Sequence, residues 1–125
     1  MTAWTEQELD RIGEAGELRI AGTRADGTLR NPVIIWGVRV GDDVFVRSVH
    51  GASGGWFRGT RATHEGWISS GGVEKDVRFE DVDPSDPVNE DIDAAYRDKY
   101  GAGSSAVEHI TNATARQAGL RLLPR

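Results

Sequence analysis

Val44 to His64 reads VFVRSVHGASGGWFRGTRATH. Val44-Phe45-Val46 opens it as an apolar strand, Gly51-Ala52-Ser53-Gly54-Gly55 follows as a small-residue loop, and Trp56 to Thr63 has helical spacing with Ser53 as the expected N-cap. The stretch contains no acidic residue, yet it carries Arg47, Arg58 and Arg61 with His50 and His64. A glycine-rich loop entering a helix between arginines suits an anion. The amides of Gly54 and Gly55 can point at a phosphate, and the helix dipole favours its charge. Arg47 follows a strand expected to be buried, where an unpaired charge is costly. It either binds a phosphate or carboxylate, or pairs with one of the chain's many acids.

Upstream, Trp4 to Gly16 predicts a surface helix. Thr5 and Glu8 have capping-box spacing, Trp4 can staple against Leu9, and Leu9 with Ile12 gives a narrow apolar stripe. Glu17 to Thr23 alternates as a half-buried strand. Ala25-Asp26-Gly27 is a hairpin turn, because Asp-Gly supplies the backbone freedom that tight turns need. Thr28 to Val40 then reads as one long strand, interrupted near its start by Pro32. Its apolar faces from Val33 onward place it centrally or in a closed barrel. Gly41-Asp42-Asp43 turns the chain into the strand from Val44 to Val49.

Downstream, Glu65-Gly66 is expected to turn the chain, Trp67-Ile68-Ser69 begins a strand, and Val73, Val77 and Phe79 share one face of the next. Acids dominate from Glu80 to Asp98 without calcium-loop spacing, which predicts a solvated surface. Asp86-Pro87 starts a helix whose Val88, Ile92, Ala95, Tyr96 and Tyr100 lie on one face, ended by Gly101. Tyr96, Lys99 and Tyr100 read either as core tyrosines with a lysine reaching for solvent, or as a lid over a pocket. Ser105 and Glu108 predict a second capping box for a helix running to Gly119, and Leu120, Leu122 and Leu123 make a last short strand.

A chain of 125 residues is one domain, 1–125, and its 38% hydrophobic and 28% charged residues mark an ordinary globular composition. The net charge of -5 argues against nucleic acid as partner and favours a small anionic ligand at a local basic patch. There is no cysteine, so disulfides and thiolate metal sites are excluded. No apolar run approaches the ~20 residues of a membrane span, and the N-terminus lacks an apolar leader, which predicts a cytoplasmic protein without a membrane partner. His50, His64 and His109 lack metal spacing, so no metal is expected. No strained serine elbow appears around Ser48 or Ser53. Gly51 to Gly55 is not a P-loop, since no Gly-Lys-Ser/Thr follows.

Strands joined by tight turns mean an antiparallel sheet. The expected fold is α+β: a small antiparallel split β-barrel of about six strands, with an N-terminal helix, a short inserted helix and two C-terminal helices. Thr23-Arg24-Ala25-Asp26-Gly27-Thr28-Leu29-Arg30-Asn31-Pro32 with the following apolar strand resembles the opening hairpin of the deazaflavin-dependent nitroreductases. Those enzymes place Lys-Ser-Gly where Ala25-Asp26-Gly27 stands here, so an acid replaces a base. Trp36, Val46-Arg47-Ser48, Gly51, Trp56, Asp93-Ala94-Ala95-Tyr96-Arg97, Lys99-Tyr100-Gly101 and Leu122-Leu123-Pro124 resemble, almost end to end, domain-of-unknown-function family 2255. Both groups belong to the flavin-binding split-barrel class of the pyridoxamine 5′-phosphate oxidase type.

The resemblance implies a flavin-type cofactor, FMN or a deazaflavin, or another small phosphorylated ligand, whose phosphate sits near the strand of Arg47. The expected roles are Arg47, Arg58 and the Gly54 and Gly55 amides on the phosphate, Ser48 and His50 at the pocket edge, and Trp36 or Trp56 against the ring. A homodimer is implied as well. The expected activity is that of an oxidoreductase with no assigned catalytic acid or base. The alternative is a non-enzymatic barrel that binds a small anion or only self-associates.

Overall fold

The computed structural model describes residues 3–125. Helix α1 (Glu6–Glu14) starts at the predicted capping box: the Thr5 hydroxyl accepts from the Glu8 amide at 3.1 Å, and the Glu8 carboxylate accepts from the Thr5 amide at 2.9 Å. Leu9 and Ile12 are buried, and Trp4 Nε1 donates to Leu122 O at 2.9 Å. The N-terminal segment is thereby tied to the last strand.

Seven antiparallel strands form one sheet. They are β1 (Leu18–Gly22), β2 (Val33–Ile35), β3 (Gly37–Val40), β4 (Asp43–Arg47), β5 (Glu65–Ser70), β6 (Val73–Val82) and β7 (Gly119–Pro124), in the order β2-β1-β5-β6-β7-β4-β3. The two end strands are consecutive in the chain and separated only by Trp36. Ile34 pairs with Arg19 of β1, whereas Val38 pairs with Phe45 of β4. The single long strand predicted over Thr28 to Val40 is therefore two strands with a bend at Trp36, and that bend nearly closes the sheet into a split barrel. One extended segment cannot pair with β1 and β4 on opposite sides of the opening without turning. Gly37 allows the turn, because a Cβ there would lie 3.0 Å from Leu18 Cδ1. The break raises the strand count from about six to seven. It also leaves Val33 and Ile34 38% and 56% exposed, so this segment is not buried on both faces.

The core has two parts. Leu18, Ile20, Val44, Val46, Ile68, Val77, Phe79, Leu120 and Leu122 pack together with Leu9 and Ile12 of α1. Val38, Phe45, Val82, Ile92, Tyr96 and Ile110 form the second layer, where α3 (Val88–Tyr100) and α4 (Ser105–Thr111) cover the other face of β3 and β4. The alternation of β4 explains the division: Val44 and Val46 face one layer, Phe45 and Arg47 the other. β7, expected as a short terminal strand, runs between β6 and β4 in the middle of the sheet.

Several helix ends differ from expectation. Gly51–Ser53 forms a single 3-10 turn, and Gly54, not Ser53, is the N-cap of α2 (Gly55–Thr60); the Ser53 hydroxyl donates to His50 O at 2.9 Å instead. The chain turns before β5, at His64 with φ 55°, so Glu65 and Gly66 belong to the strand. The N-cap of α4 is Ser104, whose hydroxyl accepts from the Ala106 amide at 3.2 Å, in place of a capping box at Ser105. Asn112 ends α4 and caps a further helix, α5 (Ala113–Arg116), so three helices follow β6 rather than two. An Asn carboxamide competes for backbone donors in this way, which is why it favours caps over helix interiors. Among the described residues, no helix is long and apolar enough to cross a membrane.

Candidate functional site

Trp56, at the start of α2, separates two cavities. The first, about 300 Å³, is bounded by Ile34, Ile35 and Trp36 on one side, Arg47 and Val49 on another, and Ala106, His109 and Ile110 of α4. The second, about 290 Å³, lies against β1 and is lined by Arg24, Arg30, Asn31, Val33 and Gly55. Each approaches the lower end of the range for small-molecule sites, roughly 300–1,000 Å³. The first is aromatic and apolar. The second presents two guanidinium groups and no carboxylate.

α2 sits close to the sheet because two glycines face each other beneath it. Gly22 of β1 pairs with Gly66 of β5. A Cβ on Gly22 would stand 2.6 Å from Gly59 O of α2, so no larger residue allows the helix to lie this near. Gly59 in turn leaves room for the Arg30 side chain, whose Nε would be 2.5 Å from a Cβ there. Arg24 reaches back across its own hairpin, donating to Leu29 O at 2.7 Å. The Asp26 carboxylate accepts from the amide and hydroxyl of Thr28 at 3.0 and 2.7 Å, and these bonds hold its pKa below the usual range. That acid serves the turn and does not line the second cavity.

Arg47 is the largest fully buried side chain among the described residues. Its guanidinium donates to the Asp93 carboxylate, to Asn89 Oδ1 at 3.0 Å and to the carbonyls of Asn89 and Ile110, each at 3.1 Å. The other oxygen of Asp93 accepts from Arg116. Of the two sequence readings of Arg47, the structure shows the internal ion pair. Asp93 is correspondingly the exception to the solvated acidic run, at 3% exposure. One donor is left over: Arg47 Nε is buried, has no hydrogen-bond partner, and belongs to a residue lining the first cavity.

Trp36 forms a wall of that cavity and is held from behind by α3. Its ring stacks on Tyr100 with centroids 4.0 Å apart and planes 5° from parallel. At the bend, Tyr96 donates its hydroxyl to Trp36 O at 3.0 Å, and Lys99 Nζ donates to Gly37 O at 2.7 Å. Tyr100 donates to Gly16 O at 2.9 Å. These side chains clamp the barrel's closing bend; the lysine points to carbonyls, not to solvent. Burial pushes the Lys99 ammonium down from 10.5 to about 8 and the Tyr100 phenol up to about 12. Between about 8 and 10.5 the unfolded chain keeps a proton that folded Lys99 has lost, so stability rises with pH there. Folded Tyr96 and Tyr100 stay protonated in this window, so the unfolded phenols, which titrate near 10, oppose the rise only at its upper end. Urea unfolding from about pH 7 to pH 9.5 should show the midpoint climbing in wild type and flattened in Lys99→Met; an equal climb in both assigns it elsewhere.

Residues 8–122 match the bacterial family described as "uncharacterized protein conserved in bacteria" (DUF2255). The chain belongs to DUF2255. No curated protein matches it in sequence. Three solved structures show how widely the DUF2255 fold is shared. The heme storage protein HutZ of Vibrio cholerae superposes over 100% of this chain and 92% of its own, with a TM-score of 0.68 at 16% identity. A reductase dependent on F420-H2 covers 86% of this chain and 93% of its own, with a TM-score of 0.63 at 15% identity. An FMN-binding protein of Syntrophomonas wolfei covers 94% and 82%, with a TM-score of 0.59 at 12% identity. At these identities the likeness is one of fold.

Of the site residues expected from the DUF2255 sequence, Trp36, Arg47 and Trp56 meet at the first cavity, and Gly55 with Trp56 at the second. Ser48 and Gly54 lie behind the loop: a Cβ on Gly54 would be 2.2 Å from Ser48 Oγ, and Gly54 N–H is taken by Gly51 O at 3.1 Å. His50 and Arg58 are exposed and line neither cavity. Arg61 lies past the helix end and forks onto Asp81. Sequence reasoning missed Arg24, Arg30 and Asn31, which line the second cavity, although two arginines flanking one turn were a usable signal. It also missed His109, which only the packing of α4 brings to the cavity.

Proposed function

We propose that this protein binds a flat, phosphorylated cofactor of the flavin type, FMN or a deazaflavin, across the two cavities that share Trp56. The observation that carries this reading is their adjacency: an aromatic cavity lined by Arg47, a residue with one unpartnered buried donor, beside a cavity with two guanidinium groups. The ring is assigned to the first cavity, which Trp36 and Trp56 both line. A carbonyl or ring nitrogen at its edge would satisfy Arg47 Nε, whose unpaired burial is otherwise costly. The anionic tail is assigned to Arg24, Arg30 and Asn31, with Arg47 acting as a scaffold. When bound, such a cofactor supplies hydride chemistry, and the protein supplies binding, orientation and exclusion of water. The activity this supports is that of an oxidoreductase.

Leu29, Val33, Ile34 and Val49 are 38–56% exposed, and three of them line or flank the same cavities. Apolar side chains clustered around a site favour a partner surface, here a second copy of the chain. The homodimer is thus part of the same reading, and Ile34→Lys is expected to shift the sedimentation coefficient toward a monomer.

The decisive experiment is an absorbance spectrum of the purified protein followed by titration with FMN and with a deazaflavin. Micromolar binding is expected for one of them. Arg30→Ala removes a charge-assisted bond of about 1.5–3 kcal/mol and should weaken binding ~10–100-fold. Trp36→Ala should weaken it comparably through the lost stack. Binding of neither cofactor by a folded protein overturns the proposal and favours the cofactor-free, self-associating barrel.

A further inference from the structure

A third cavity, about 400 Å³, lies on the far side of the clamp, between α1, β3 and α3. Asp10, Glu14, Arg39, Asp98 and Lys99 contribute its polar lining. It shares no residue with the two cavities around Trp56, so its chemistry is independent of the cofactor assigned to them. We propose that Lys99 is a reactive amine that captures small, uncharged or cationic carbonyl compounds in this cavity as a Schiff base.

The hydrogen bonding of the amine is the first support. Nζ donates to Gly37 O at 2.7 Å and approaches Ile12 O at 3.4 Å. A neutral amine has two N–H groups and one lone pair, whereas an ammonium has three N–H groups and no acceptor. Two carbonyl partners therefore satisfy the neutral form and leave its lone pair free. Among the described residues, no carboxylate forms an ion pair with Lys99, although Asp10, Glu14 and Asp98 line the same cavity. Burial in this setting brings the amine to about 8, the direction that makes a lysine nucleophilic near neutral pH. The Tyr100 ring, 5.2 Å from Nζ, bounds the amine on another side.

The charges around the cavity select the carbonyl compound. Arg39 pairs with both Asp10 and Glu6, at 2.7 and 2.9 Å, and the cavity is net negative through Glu14 and Asp98, its two carboxylates without an ion-pair partner among the described residues. An anionic aldehyde is repelled by that pair, and an uncharged one is not. In the step itself, the Lys99 lone pair forms the C–N bond, the carbonyl oxygen leaves as water with both amine protons, and a C=N bond remains. No oxidant or reductant is needed.

The sequence makes the test clean, since Lys75 and Lys99 are its only lysines. Lys75 is paired with Glu8 at 3.1 Å and serves as the internal control. The full chain is incubated at about pH 7.5 with glycolaldehyde and cyanoborohydride, which reduces any imine to a stable amine, and the two lysine peptides are quantified by mass spectrometry. Lys99 should be modified about tenfold faster than Lys75. Glyoxylate, the anionic analogue, should lose most of that preference, and Asp98→Asn should restore it. Modification of Lys75 as fast as Lys99, in protein with a native circular dichroism spectrum, overturns the proposal. A preference for Lys99 that is equal for both aldehydes overturns the selection by charge.

Discussion

Asp93→Ala is expected to destabilise the protein by about 3–5 kcal/mol, the cost of leaving a buried charge without its partner. The Arg47 side chain is 0% exposed and Asp93 4%. Without the carboxylate, Arg47 keeps only neutral partners, the Asn89 side chain and two carbonyls, inside a layer built from Phe45, Ile92, Tyr96 and Ile110. It cannot turn to water, because β4 is covered on both faces. Arg116 loses the same partner but is 33% exposed, so its charge can be rehydrated. The ion pair also holds β4, α3, α4 and α5 to one another, since Arg47 reaches Asn89, Asp93 and Ile110 while Asp93 reaches Arg116. Urea unfolding measures the loss. The surface pair Arg121–Glu80 provides the contrast: Glu80→Ala should cost under ~1 kcal/mol. Arg47→Met with Asp93→Leu should recover much of the stability, because an apolar pair of similar volume often replaces a buried ion pair without loss. A cost below ~1 kcal/mol for Asp93→Ala would mean that the pair does not hold these elements together.

Gly66→Ala is expected to cost about 1–3 kcal/mol or more through overpacking. A Cβ at this position would be 2.1 Å from Ala21 O and 2.8 Å from Phe79 Cζ. Neither neighbour can yield easily. Ala21 belongs to the β1–β5 ladder, and Phe79 is 3% exposed in the core. The strand cannot slide either, since Gly66 is in register with Gly22 on one side and Val77 on the other. Any adjustment at Gly66 is transmitted through Gly22 to Gly59 and hence to α2, which carries Trp56. Gly66→Ala should therefore lower both the urea midpoint and the affinity for the cofactor proposed above. Gly55→Ala, where nothing lies within 4 Å of the new Cβ, should leave stability within ~0.5 kcal/mol.

Local patterns decided a good deal of this protein. Thr5 and Glu8 place the start of α1, Asp26-Gly27 places the first turn, and the alternation of Val73, Val77 and Phe79 gives the buried face of β6. All of these depend on residues within a few positions of each other, so the chain displays them directly. The antiparallel α+β split barrel follows from those elements and their short connections. Trp36, Arg47 and Trp56, which meet at the first cavity, were legible as candidates because large aromatics and a charge on an apolar strand stand out in any sequence.

Tertiary structure decided the rest. No local pattern marks Trp36 as a bend, since Val33 to Val40 is extended on both sides of it; the bend exists because β1 and β4 must both be paired. No spacing rule connects Arg47 to an acid 46 residues away, and α3 makes that choice by laying Asp93 over β4. Arg47 is held in an internal ion pair at the wall of the first cavity, and the two guanidinium groups at the second, those of Arg24 and Arg30, come from a hairpin distant in sequence. Lys99 changes character in the same way: its neighbours in the chain are Asp98 and Tyr100, but its partners are carbonyls of α1 and the closing bend. Charge and burial are properties of assembled surfaces, so sequence identifies the groups, and packing determines which are neutralised and which remain available to a ligand.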